Sequence, residues 1–272
     1  MSDPAAESQQ TSLTLEQMLG LIALRHSEGE YANVEMLCQK ILEKYPGHPN
    51  ALYFRGLAAA AQGAWALAQQ CLEALSDIDG VADMSRDALA GVYAAQQSWQ
   101  SLVHLADTVL SHTPDNAKAY YWRGLAARGM GDVAAARNDL RRAVALVPGF
   151  VEARFEYGNL LLVENDAAAI TQYERLLELA PTRADVMNNL GLSYSMQSKA
   201  DKAEAAFRRA LSVQPDYAEA KANLAAILLQ SGRSDEAGRL FAEVLAQAPH
   251  LADAVADLQS RIAAQTVTGG AQ

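Results

Sequence analysis

Histidine and cysteine are the residue types in this chain best suited to bind a metal or act as a nucleophile. The five histidines, His26, His48, His104, His112 and His250, are scattered. No two stand four apart, as a helical metal site requires. Cys38 and Cys71 fall at nearly equivalent places in two successive second helices, so the thiols could approach one another. Small apolar core residues are the plainer reading, since free cysteine is readily buried. Two cysteines in apolar helical patterns make no disulfide framework and point to a reducing compartment. No strand is predicted for a glycine-rich phosphate loop to follow. The expectation is a chain that is not an enzyme and carries no cofactor or metal.

Charge narrows the partners. The 272 residues carry 22 Lys and Arg against 32 Asp and Glu, a net charge of −10. A nucleic-acid partner would want a basic stripe, and an anionic membrane surface would be repelled. The segment from Met1 to Glu7 has neither the basic start nor the apolar core of a secretory signal, and no cysteine near it could take a lipid. No run of about 18 apolar residues is long enough to cross a bilayer. These features predict a soluble, cytoplasmic protein without membrane insertion.

The elements that would position any site come from an internal repeat. From Ala184 to Tyr217 the chain places Met187, Leu190-Gly191 and Tyr194, then Ala203, Phe207, Ala210 and Pro215, the proline 34 residues after Pro181. Leu190, Gly191 and Tyr194 share one helical face. Gly191 and Ala203 are expected to be small so that two helix backbones can approach. Pro215 ends the second helix, and Asp216 is the expected cap of the next. This stretch resembles the tetratricopeptide repeat, or TPR, departing only at Met187, where that family prefers tryptophan. The resemblance implies an all-α fold, a right-handed α-solenoid of TPR helical hairpins.

The same spacing divides the chain into residues 15–48, 49–82, 83–116, 117–150, 151–183, 184–217 and 218–251, seven repeats in all. Residues 1–14 form a disordered lead, 252–265 a capping helix and 266–272 a disordered tail. Thr14 and Gln17 make a capping-box pair. The first repeat is decayed, with Leu21, Val34, Cys38 and Pro46 at the marker places. The second starts at Pro49 and keeps Arg55-Gly56 and Ala68, but has Gly80 where the closing proline should be. The acidic, glycine-broken Asp77 to Asp83 is the expected flexible seam. Repeat four has Tyr120, Gly124, Ala136, Leu140 and Pro148, and repeat five is one residue short near Asn165. Trp65 and Trp99 open second helices and are expected to pack.

In the TPR family, positions 2, 5, 9, 12 and 13 of each repeat face a concave groove, with position 6 beside them. On this sequence those places hold Tyr53, Phe54, Asp87, Tyr121, Trp122 and Phe155, and then Asn159, Asn188, Asn189 and Asn223. The rings flank the small or acidic third repeat and could form a recess for a partner's helix or bulky side chain. Rings at position 6 could equally be core. An asparagine amide donates and accepts at once, so a row of them can hold a peptide backbone. That row resembles the asparagine ladder of some TPR grooves, although asparagine at position 6 is also ordinary TPR consensus. Phe155 and Glu219 stand where a carboxylate clamp would need lysine, so capture of a C-terminal carboxylate is not expected. Arg141-Arg142 and Arg208-Arg209 belong to second helices and are expected on the solvated convex side.

The function that this resemblance implies is a non-catalytic adaptor or assembly scaffold, with a protein or peptide segment as partner and no nucleic acid. Two alternatives stand beside it. One is a self-assembling homo-oligomer through the apolar first repeat, with Leu15, Met18, Leu19 and Ile22 at its start. The other is the regulatory subunit of a separate enzyme such as a transferase.

Overall fold

The computed structural model describes residues 13–78 and 80–249, with 252, 253, 255–257 and 260 beyond them. The lead over 1–12, the tail over 266–272 and the rest of the expected capping helix lie outside the described residues.

Fourteen helices follow one another among those residues. The first unit, Met1–Ser111, takes α1 Leu15–Ser27, α2 Tyr31–Lys44, α3 Pro49–Ala61, α4 Trp65–Glu73, α5 Ala82–Ala95 and most of α6 Trp99–His112. The second, His112–Gln272, takes α7 Ala117–Gly129, α8 Val133–Leu146, α9 Val151–Val163, α10 Ala168–Leu179, α11 Ala184–Met196, α12 Ala200–Val213, α13 Ala218–Gln230 and α14 Ser234–Gln247. Among the described residues each unit is all-α, a run of helical hairpins like those that the TPR resemblance implies.

Local chemistry accounts for the helix starts. Thr14 and Gln17 form the full reciprocal capping box on α1. Asn116 and Asp132 accept from the backbone amides of Ala119 and Ala135 at 3.0 and 2.9 Å, capping α7 and α8. Asp216 does not cap α13. That helix starts after Tyr217, whose side chain makes no cap bond, so Asp216 sits one residue too early, inside the turn.

Each hairpin turn is closed the same way. The described residues contain seven such turns, each with a residue at positive φ: glycine at four, and Gln97, Asn165 and Ser198 at 55–57°. The following amide reaches back five residues, as Asp132 N does to Ala127 O at 2.9 Å and Lys199 N to Tyr194 O at 2.9 Å. This is the Schellman closure of a helix, and it prefers glycine because other residues crowd their Cβ there. The interval between turn residues is 34, except the 33 from Asn165 to Ser198. The missing residue falls after Asn165, and α10 also begins three residues beyond its turn residue instead of two, so it is 12 residues long against 14 for α8 and α12.

Packing within the hairpins rests on glycines facing large side chains. A Cβ on Gly191 would lie 2.5 Å from Phe207 Cε1, and one on Gly158 2.8 Å from Tyr173 Cε1. The expected reason was a close approach of two backbones to each other. What occupies the space at Gly191 is a ring, that of Phe207, which is only 1% exposed. In the second unit one continuous core gathers Leu140, Leu161, Tyr173, Leu176, Phe207 and Leu228. In the first, Ile22, Val34, Cys38, Ile41 and Ala51 form the core beneath α1 and α2. Helix α4 stops after nine residues, and the turns following it contain Gly80 at φ +83°. Beside that early stop opens a cavity of about 460 Å³, in which Tyr93 Oη donates to Glu73 Oε1 at 2.7 Å.

Candidate functional site

The candidate residues all lie on the first helices of the hairpins. In the second unit α9 touches α11 and α11 touches α13, so these helices lie side by side and make one face. Basic side chains on them largely turn away from it. Arg154, 8% exposed, donates to Gln172 Oε1 on α10 at 2.8 Å and to Pro148 O. Lys221 Nζ donates to Glu243 Oε2 on α14 at 2.9 Å.

Tyr121 is half-buried, its ring 5.1 Å from that of Phe150. Its phenol is pushed up to about 12, first by burial and then by the carboxylates of Glu156 and Glu152. Glu156 in turn pairs with Arg128. Phe155 is half-buried, and the guanidinium of Arg183 lies over its ring, 4.7 Å from the centroid. Arg183 is held there by a two-pronged bond to both carboxylate oxygens of Asp185, which keeps the Asp185 carboxyl below the usual range. Tyr217 stands at the entrance to α13. Its phenol is raised by burial and then by Glu219 and Asp185.

The asparagines bond to one another. Asn223 Nδ2 donates to Asn188 Oδ1 at 2.9 Å, and Asn189 Nδ2 donates to Asn159 Oδ1 at 2.9 Å. A longer contact of 3.4 Å from Asn188 Nδ2 to Asn189 Oδ1 joins the two pairs. Asn159 Oδ1 also accepts from Tyr173 Oη at 2.8 Å, the hydroxyl of a fully buried ring. Asn159, Asn189 and Asn223 remain half-buried on the face.

Two of the candidate residues lie inside. Trp122 is 7% exposed and Asn188 5%, so neither ring nor amide is offered to the open surface. In the first unit, Tyr53 and Phe54 meet edge to face at 5.7 Å. Phe54 packs on the core of α1 and α2, 5.6 Å from the ring of His26. Burial and then the nearby Asp87 carboxylate raise the Tyr53 phenol. Arg142 and Arg208, in the two doublets on α8 and α12, are largely exposed and reach Asp115 and Glu236 at 2.7 and 2.9 Å. The interactions of Arg183 and Tyr217 escape sequence reasoning because both residues lie outside the helices, in turns that a repeat template leaves unassigned.

Among the described residues no three His, Cys, Asp or Glu converge as a metal would require. Cys38 and Cys71 are buried, and the Cys38 thiol is pushed up to about 12, chiefly by burial. No described helix is long and apolar enough to cross a membrane.

Hairpins that pack chiefly on their neighbours in the chain are the build of a repeat solenoid. The chain belongs to the tetratricopeptide repeat family: models of that repeat match residues 35–82 and 124–184, and residues 194–262. Among solved structures, a chain of the APC/C hetero-tetramer Cut9–Hcn1 resembles 92% of this chain with a TM-score of 0.68 at 18% identity. The similarity spans about half of that chain, 49%. MamA is similar over 61% of this chain and 97% of its own, with a TM-score of 0.55 at 23% identity. YrrB, described as a TPR protein with an unusual peptide-binding site, is similar over 67% and 95%, with a TM-score of 0.50 at 22% identity. At these identities the likeness is one of fold. No curated relative matches the chain in sequence.

Proposed function

We propose that the chain is a non-catalytic adaptor or assembly scaffold that holds a segment of a partner protein along the face made by α7, α9, α11 and α13. A TPR solenoid is consistent with such a role, and these proteins are generally scaffolds rather than catalysts. The observation that carries the proposal is the set of half-buried groups along those helices, Tyr121 and Phe155 beside Asn159, Asn189 and Asn223. Rings of this kind anchor a partner's side chains. Asn189 and Asn223 each donate one Nδ2 hydrogen to another asparagine and keep a second, enough to hold a peptide carbonyl. The peptide-binding site named for YrrB supports the same kind of use here.

The test is Tyr121→Ala/Phe155→Ala in the full chain. Losing two anchors of about 1–2 kcal/mol each should weaken partner capture from an extract of the native source at least about tenfold, with helical content unchanged. Undiminished capture by the folded double variant would remove this face from the function. Recovery of the wild-type chain alone, as a defined oligomer, would favour self-assembly instead.

A further inference from the structure

We infer that the segment held on this face is proline-rich and in the polyproline II form. Its carbonyl oxygens are taken by side-chain N–H and O–H groups of the face, and its pyrrolidine rings sit on Tyr121 and Phe155. This deepens the proposed function and rests on it.

The asparagine row has a direction. Tyr173 carries its hydroxyl on a fully buried ring and donates to Asn159 Oδ1 at 2.8 Å. That bond turns the Asn159 oxygen inward, where Asn189 Nδ2 donates to it as well. Asn188 Oδ1 in turn accepts from Asn223. The row thus spends its oxygens on itself and has hydrogens to spare. Asn159 Nδ2 bonds nothing among the described residues, and Asn189 and Asn223 each keep one Nδ2 hydrogen. Asn223 Oδ1 alone of the four amide oxygens accepts nothing among those residues.

Two more donors stand at the rings. Arg183 gives Nε and Nη2 to Asp185 while lying 4.7 Å over the Phe155 ring, which leaves Nη1 without a hydrogen-bond partner. Tyr121 Oη makes no hydrogen bond among the described residues either. Arg154 Nε is the one side-chain N or O there that is both buried and unpaired. Asn159 Nδ2, Arg183 Nη1 and Tyr121 Oη are therefore open to solvent. The half-buried carboxylates of the face, Asp185 and Glu156, are already paired with Arg183 and Arg128.

Spare donors beside half-buried rings ask for a partner rich in acceptors and in compact apolar groups. Proline supplies both, since it keeps its C=O, has no N–H and presents an apolar ring. Polyproline II also leaves every carbonyl free of internal hydrogen bonds. The spacing agrees. Tyr121 and Phe155 are each the fifth residue of α7 and α9, two helices joined by the Arg128–Glu156 pair. Packed helices stand about 8–10 Å apart, and polyproline II advances about 9 Å in each three-residue turn. Prolines three apart therefore meet the two rings in succession.

The test uses fluorescein-labelled twelve-residue peptides and the full chain, read by fluorescence anisotropy. One peptide has proline at every third position among alanine and serine. Its counterpart has alanine at those positions. The proline peptide should bind about tenfold tighter. Tyr121→Phe, which keeps the ring and removes the hydroxyl, should weaken it about two- to tenfold, the range for one hydrogen bond. Arg183→Ala should weaken it by a similar factor. Equal affinity for the two peptides, or a proline-peptide affinity untouched by both variants, would overturn the inference. Binding of neither peptide would overturn it too. Partner capture by the wild type that is lost in Tyr121→Ala/Phe155→Ala would then leave the proposed function standing.

Discussion

Replacing Gly191 with alanine tests the packing that holds a hairpin together. The new Cβ would lie 2.5, 2.7 and 2.8 Å from Phe207 Cε1, Cδ1 and Cζ. Comfortable carbon contacts lie at about 3.5–4.0 Å, so the ring must retreat by roughly 1 Å. It has little room, being 1% exposed and enclosed by the core of the second unit. Overpacking of this kind costs about 1–3 kcal/mol, offset by the roughly 1 kcal/mol that alanine gains over glycine within a helix. A net loss of up to about 2 kcal/mol follows, which lowers the thermal midpoint by up to roughly 8 °C in a domain of this size. Gly91 on α5 and Gly238 on α14 are the controls, because a Cβ there meets nothing within 4 Å. Alanine at either should raise the midpoint through helix propensity alone. Phe207→Leu added to Gly191→Ala should recover part of the loss, since it removes Cε1 and Cζ, two of the three ring atoms that crowd the new Cβ. Thermal unfolding followed by circular dichroism reads all four. A Gly191→Ala midpoint that rises like that of Gly91→Ala would refute the seating of the ring against the glycine.

Asn159→Ala should destabilise by about 1–3 kcal/mol, because it strands the buried Tyr173 hydroxyl, and Tyr173→Phe in the same chain should restore part of it. Denaturant midpoints of the single and double variants give the comparison. Ser198→Gly should stabilise by about 0.5–1 kcal/mol, since serine is held at φ 57° in the turn, with the gain read from the same unfolding curves. For Asp185, the Arg183 partner lowers the carboxyl pKa in the folded state. Its stabilising contribution is therefore complete above the unfolded value of about 3.9 and lost as pH falls through the lower folded value. Arg183→Ala should let the Asp185 resonance titrate nearer the ordinary value in an NMR pH series. An unchanged titration would deny the pair.

The fold class is legible in the sequence because its signals are mechanical: a small residue facing a large one across a hairpin, and a proline closing it. The Thr14–Gln17 box is legible for the same reason, as two side chains bond two backbone groups three residues apart. What surrounds Gly191 is less so, because spacing reveals that a position must be small without revealing that the neighbour is the Phe207 ring. Asp216 misleads as a cap because the turn after Pro215 runs one residue longer before α13 begins. Position 6 is ambiguous in sequence and divides in the structure, with Trp122 inside and Asn189 and Asn223 half-buried on the face. The bonding among the asparagines and the Arg183 bridge between Phe155 and Asp185 join different helices or turns. A reading taken one repeat at a time has no means of pairing them.

The most direct measurement places a photo-crosslinking residue at position 152 or 219, on the first-helix face, and in parallel at position 138 or 205, exposed on the second helices α8 and α12. After irradiation in the native source, adducts are identified by mass spectrometry. The proposed function predicts a foreign polypeptide crosslinked from 152 and 219 and little from 138 and 205. Adducts confined to 138 and 205, or formed only with a second copy of this chain, would contradict it.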